Sequence, residues 1–170
     1  HIDELLASGN DVTALQETDV LETDVTWLKA KATARGYSLH FAHTTGISKD
    51  GITRRGRRAA ILVKGPAVPK QLNDPDDPTC QALEATGRWI ELLITIADGN
   101  ASLFVTSAYG YSGDSAGGED YVANETFIAL LSARSSQRQR AAQLICTDLN
   151  IDPSEPEVTI AAIDSGLLRD

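Results

Sequence analysis

The chain has 170 residues, 42% of them hydrophobic, with 24 acidic against 15 basic side chains and a formal net charge of −9. Such a length supplies one hydrophobic core rather than two comfortable domains, and this apolar content excludes a wholly disordered acidic segment. The acidic balance opposes tight non-specific binding to a phosphate backbone, which depends on Lys and Arg releasing counterions, yet it suits a catalyst that needs clustered carboxylates.

His1 leads directly into a helical pattern over Ile2–Leu6 that stops near Gly9, with no basic-then-apolar leader, so a secretory signal is expected to be absent or to have been lost with whatever preceded this residue, and localisation stays open. Val12–Gln16 reads as a strand that delivers Glu17 to its C-terminal end. Thr23 or Asp24 is expected to cap a helix whose Val25, Leu28 and Ala32 share a face and whose far end is Gly36. Tyr37–Ala42 and Arg58–Lys64 read as strands joined by a Gly- and Arg-rich loop. From Gly65 to Gly87, Pro66, Pro69, Pro75 and Pro78 with Asp74, Asp76 and Asp77 predict a surface excursion without regular structure, Cys80 within it. Arg88–Ala97 and Ala101–Tyr109 flank Asp98-Gly99-Asn100 and predict a β-hairpin. After a Gly/Ser loop over 110–118, the spacing of Val122, Phe127, Leu130 and Leu131 predicts a helix over Tyr121–Ala133. Gln143–Thr147 reads as a short buried strand, and a last helix is expected over 157–164.

Early alternation of strand and helix, with a hairpin in the middle, fits a layered α/β sandwich with mixed sheets better than an all-parallel doubly wound sheet. The apolar stretches, such as Ile90–Ala97, are strand-sized and far short of the ~20 residues that cross a bilayer, so no membrane segment is expected. Cys80 and Cys146 have neither a disulfide framework nor zinc-ligand spacing, which mildly favours a reducing compartment.

Three short stretches carry chemistry. In Asp11-Val-Thr-Ala-Leu-Gln-Glu17-Thr an acid is delivered at the end of an apolar strand; alone it would be a solvated or capping residue. In Leu144-Ile-Cys-Thr-Asp148-Leu-Asn150 a strand ends in Asp-x-Asn, which alone would be an Asx turn. In Phe104-Val-Thr-Ser-Ala-Tyr109-Gly-Tyr-Ser-Gly a strand enters a glycine loop with Tyr at the junction, which alone would be a core tyrosine. Arg54, Arg55, Arg57 and Arg58 form the one dense basic cluster. A solvated loop is its ordinary reading, and lining the approach to a phosphate is its functional one.

Taken together and in this order, with the Arg57-Arg-Ala-Ala-Ile-Leu-Val-Lys64 strand between the first and the tyrosine, these stretches resemble the endonuclease/exonuclease/phosphatase superfamily, the exonuclease III and DNase I-like enzymes. The resemblance covers essentially the whole chain as one partial domain and implies a DNase I-like layered fold, incomplete at both ends. It implies a Mg²⁺-dependent phosphoesterase, with Mn²⁺ as a substitute, in which Glu17 binds the metal. Asp148 orients or deprotonates the attacking water, and Asn150 and Tyr109 contact the phosphate. Thr147 stands where the family usually has Gly, and Ser107 where it often has Asn. The family also has an Asn-bearing strand before the first helix and a later Asp-His pair within Ser-Asp-His. His1, His40 and His43 all precede Asp148, so the 170 residues alone are expected to have little activity. Nucleic acid is the implied substrate, with a retroelement endonuclease module fused to a reverse transcriptase as one setting. A phosphatase or phospholipase on inositol phosphates or sphingomyelin, and a non-catalytic remnant, are the alternatives.

Overall fold

The structure, a computed structural model, describes residues 2–49, 52–95, 101–111, 118–138 and 141–150, excluding the side chains of 45–49 and 52–55. The expected last helix over 157–164 and the turn at 98–100 lie outside the described residues. Helix α1 (Ile2–Ala7) is followed by Gly9 at φ 77°, then strand β1 (Val12–Leu15) and the two-residue β2 (Val20–Leu21). Helix α2 (Glu22–Thr33) begins one to two residues before the expected caps. Its N-cap is Leu21, with no side-chain cap, because β2 runs straight into the helix. The acids Glu22 and Asp24 fall in its first turn, where they favour the positive end of the helix dipole.

Strands β3 (Tyr37–Phe41) and β6 (Ala60–Lys64) pair antiparallel, and β6 pairs antiparallel with β1, giving the order β1-β6-β3. The connection expected to be a loop is instead a hairpin of β4 (Thr45–Lys49) and β5 (Ile52–Arg57), which joins β2 in a second small sheet. Asp50-Gly51 is a hairpin turn signal between those two strands, and the glycines and arginines around it masked the extended pattern.

The stretch expected to lack regular structure contains two elements, β7 (Val68–Gln71) and α3 (Pro78–Ala85). Strand β7 tolerates Pro69 because it lies on the edge of its sheet. Helix α3 has a strong local start: Pro78 stands in its first turn, and the Asp77 carboxylate accepts from the amides of Thr79 at 2.8 Å and Cys80 at 3.3 Å. Cys80, expected in a polar loop, is fully buried on this helix, and burial raises its thiol pKa.

The predicted hairpin is present as β8 (Trp89–Thr95) paired antiparallel with β9 (Ser102–Tyr109). Helix α4 (Glu119–Gln137) extends beyond the predicted span at both ends, and β10 (Ala142–Asp148) runs parallel to β9. The resulting sheet, β10-β9-β8-β7, is mixed. Strand β10 is an edge strand and half-exposed rather than buried, with Leu144 46% exposed.

Strand alternation sorts the core into layers. Ala60 and Leu62 of β6 pack with Leu6, Val25 and Ala32 of the first two helices. Ile61 and Val63, on the other face of β6, meet Ile90, Leu92, Ile94 and Val105 of the four-stranded sheet. That sheet's outer face carries Trp89 and Ala108 against Leu83, Phe127 and Leu131 of α3 and α4. The β1-β6-β3 sheet and the four-stranded sheet thus pack face to face with helices outside each. Among the described residues no helix is long and apolar enough to cross a membrane.

Candidate active site

The directions of the strands decide which chain ends meet. Because β10 is parallel to β9, with Asp148 in register with Tyr109, both strands finish at the same edge. Strand β8 is antiparallel to β9 and begins there, the amide of Tyr109 bonding the Arg88 carbonyl at 2.9 Å. Across the sandwich, the end of β1 lies opposite the start of β6, Leu15 facing Ala60, and the Thr18 amide bonds the Arg58 carbonyl at 3.1 Å.

A polar clasp joins the two sheets at this edge. The Gln16 amide donates to Ser107 Oγ and to the Cys146 carbonyl, each at 3.2 Å, and Ser107 Oγ donates to the Leu15 carbonyl at 2.9 Å. Glu17 follows Gln16 and Asp148 lies two residues beyond Cys146. The strand ends that carry Glu17 on one sheet and Tyr109, Asp148 and Asn150 on the other therefore lie at one edge of the sandwich, while Glu17 itself lines a cavity with Leu15, Val20, Leu28 and Phe41 on the helix side of its sheet.

Their environments differ. Glu17 is exposed, and among the described residues its carboxylate is engaged by no hydrogen bond or ion pair. Asp148 and Asn150 are also exposed, and Asp148 Oδ1 accepts from the Asn150 amide at 3.2 Å. Tyr109 is only 3% exposed. Glu17 and Asn150 have φ of 49° and 54°, in the left-handed region that L side chains other than Asn and Asp seldom adopt. Of the two, Glu17 is the strained one, since Asn adopts this region readily, as does Asp19 at φ 41°; strain of this kind concentrates at functional sites.

Arg88 frames the tyrosine side. Its guanidinium donates to the carbonyls of Tyr109 and Gly110 and lies 4.1 Å from the Tyr111 ring centroid and 5.4 Å from that of Tyr109. Tyr111 is held in turn by the fully buried Asn124, whose amide bonds its backbone N–H and C=O at 2.7 Å each. Of the arginine cluster, Arg57 lies on strand β5 and bonds Glu22 at 3.0 Å and the Ala42 carbonyl at 2.7 Å, while Arg58 lies 3.4 Å from Asp19. Both serve ion pairs within the fold; the side chains of Arg54 and Arg55 lie outside the described residues. His43 anchors its segment through Glu84 at 3.6 Å. His40 sits on β3, where burial and, secondarily, Lys29 lower its pKa.

Sequence reasoning attached no role to Gln16, Ser107, Arg88 or Gly110. For the first two a signal existed: polar residues at positions whose strand neighbours face inward. Gly110 matters through space. Its amide bonds the Asp148 carbonyl at 2.7 Å, and a Cβ there would stand 2.7 Å from Leu149 Cα. Gly110→Ala must therefore displace the Asp148–Leu149 backbone. A destabilisation of about 1–3 kcal/mol is expected, as for overpacking elsewhere, and urea unfolding with unchanged midpoint would show that the turn yields freely.

No protein-family model matches the chain, and no curated protein does. Solved structures do. The catalytic domain of human Nocturnin, with bound sulfate, superposes with a TM-score of 0.63 at 16% identity, covering 98% of this chain and 60% of that one. ANGEL2, a 2′,3′-cyclic phosphatase in complex with adenosine-2′,3′-vanadate, gives 0.59 at 19% identity, over 97% and 46%. Sphingomyelinase C from Streptomyces griseocarneus gives 0.57 at 22%, over 99% and 62%. At such identities the likeness is one of fold: the architecture is the DNase I-like one of the endonuclease/exonuclease/phosphatase enzymes. The chain spans roughly half to three-fifths of the length of these structures.

Proposed function

We propose that this chain is part of the catalytic domain of a Mg²⁺-dependent phosphodiesterase that acts on nucleic acid. The observation that supports the reading is the clasp that sets the strand end before Glu17 against the two strands that end in Tyr109 and Asp148, with Glu17 held at φ 49°. The residues suit a hard ion. An exposed, unengaged carboxylate is an oxygen ligand of the kind Mg²⁺ takes singly or in pairs, filling its other positions with water and substrate phosphate. No group of three or more His, Cys, Asp or Glu side chains gathers among the described residues, so these residues do not form an all-protein cage. Held at Glu17, Mg²⁺ would neutralise non-bridging oxygens of the phosphate as charge builds on them.

The remaining work falls to the chain. Asp148, its Oδ1 already oriented by the Asn150 amide, accepts a proton from the attacking water and aligns it in line with phosphorus. The Asn150 side-chain amide and the Tyr109 phenol donate to phosphoryl oxygens, which is useful only where they are aimed before the reaction begins. Arg88, fixed against Tyr109 and Tyr111, holds that end of β9 in place.

The likeness to a phosphatase caught with an adenosine vanadate supports a nucleotide-bearing ester, and that to a sphingomyelinase favours a lipid phosphodiester as the second reading. The test is hydrolysis of duplex DNA, inositol phosphates and sphingomyelin, with and without a chelator, by the 170 residues and by a version carrying flanking segments. Chelator-sensitive cleavage of DNA is expected, chiefly from the longer version, since none of the three histidines follows Asp148. Preferential hydrolysis of sphingomyelin would replace the substrate assignment. Inactivity of both versions on every substrate would favour a non-catalytic domain.

A further inference from the structure

We infer that Gln16 is a positioning residue, and that its clasp with Ser107 and Cys146 sets the placement of the Glu17 carboxylate for a divalent cation. The inference rests on the proposed reading of Glu17 as a metal ligand and adds the device that aims it.

The hydrogen bonds form a relay in which every proton has a destination. One N–H of the Gln16 side chain goes to Ser107 Oγ, the other to the Cys146 carbonyl, and the Ser107 proton goes to the Leu15 carbonyl. Ser107 is fully buried, so its hydroxyl must find its partners in the protein, and Gln16 and Leu15 supply them. The chain just before Glu17 is thereby gripped at two points, the Leu15 carbonyl and the Gln16 side chain. Glu17 then leaves with φ 49°, a conformation that an unanchored Glu has no reason to hold.

The clasp also measures a distance between sheets. Its acceptors sit on β9 and β10, two residues before Tyr109 and Asp148 respectively, so it ties Glu17 to the residues proposed to handle the phosphate and the water. Simple cement would serve anywhere along the sandwich, yet the interior there is apolar, and this relay stands at its mouth. Residues that orient metal ligands in this way usually contribute ten- to a hundredfold in metal affinity, as an order of magnitude.

The experiment is Mn²⁺ titration of the 170-residue chain, followed by loss of the free-ion electron paramagnetic resonance signal, with thermal unfolding of each variant measured alongside. Glu17→Gln should abolish binding. Gln16→Leu, similar in volume but without the amide, and Ser107→Ala should each weaken it about tenfold. The double variant should be no weaker than either single one, because both remove the same relay. A purely structural clasp would lower the unfolding temperature and leave the affinity of the folded protein unchanged. If Gln16→Leu does not fold, Ser107→Ala decides alone. Unchanged affinity in these variants, with binding lost in Glu17→Gln, overturns the clasp and leaves the ligand assignment standing. No binding by the parent, or binding indifferent to Glu17→Gln, overturns the ligand assignment and the clasp with it.

Discussion

Asp148→Asn should lower Mg²⁺-dependent hydrolysis by about two to four orders of magnitude, the usual contribution of a positioned general base, while leaving KM within a few-fold. Asparagine is nearly isosteric, and its side-chain oxygen can still accept from the Asn150 amide, which Asp148 Oδ1 now does at 3.2 Å. The turn is therefore retained and the comparison isolates the carboxylate's charge and basicity. Asp148 is exposed at the end of an edge strand, so the substitution leaves no buried charge unpaired and stability should hardly change. A loss of kcat without a loss of substrate binding would mark an interaction made only on the way to the transition state. Retention of more than a tenth of the parent rate would remove Asp148 from the chemistry and leave it as a turn former.

How much of this could be read in the sequence depended on whether the signal was local. Ile90, Leu92 and Ile94 alternate with Trp89 and Glu91, and such a period of two is visible wherever a strand has one buried apolar face. Strand β5 broke that rule, because Thr53, Arg54, Arg55 and Gly56 offer no apolar alternation, and its pairing with β2 and β4 is set by the sheet rather than by its own side chains. Helix α3 had an adequate local signal in Asp77-Pro78, a cap followed by a first-turn proline, but the density of prolines and acids around it read as a breaker. At the site, Glu17, Tyr109, Asp148 and Asn150 stood at strand ends and could be singled out. That the strands bearing them end at one edge follows from β10 running parallel beside β9, and the clasp at Gln16 spans 91 residues to Ser107 and 130 to Cys146. Ser107 read as a departure from a familiar pattern; in the fold it completes the relay that holds the Leu15 carbonyl and the Gln16 side chain.

The largest structural loss is expected far from the site, at Arg134. Its guanidinium is 4% exposed and donates to Glu91 Oε2 at 2.7 and 3.1 Å, to Asp77 Oδ2 at 2.6 Å and to Gln137 at 3.1 Å. Glu91 is 2% exposed on the outer face of β8, where its remaining cation is Arg138 at 3.4 Å. One side chain of α4 thus neutralises a buried carboxylate of the sheet and the cap of α3. Arg134→Met keeps the volume and leaves the buried Glu91 charge with the longer Arg138 contact alone, so up to about 3–5 kcal/mol should be lost, as when one partner of a buried pair is removed. That is a large share of the ~5–15 kcal/mol by which domains are stable. The double variant Glu91→Leu with Arg134→Met removes both charges and should recover most of the loss, which distinguishes a stranded charge from poor packing. Acid supplies an independent arm. Burial pushes the Asp77 carboxyl pKa up, but the amides of Cys80 and Thr79, the Gln137 side chain and the Arg134 charge outweigh it and hold it below the ordinary 3.8. A carboxyl depressed in the folded state stabilises fully above its unfolded value, and that stabilisation is lost as pH falls through the folded one. The parent should accordingly weaken on acidification below about pH 4, and Asp77→Asn should be less stable at neutral pH with a shallower acid slope. Urea midpoints across that range decide the matter: an Arg134→Met variant within 1 kcal/mol of the parent, or an Asp77→Asn slope equal to the parent's, would mean that this network is not what joins α3 and α4 to the sheet.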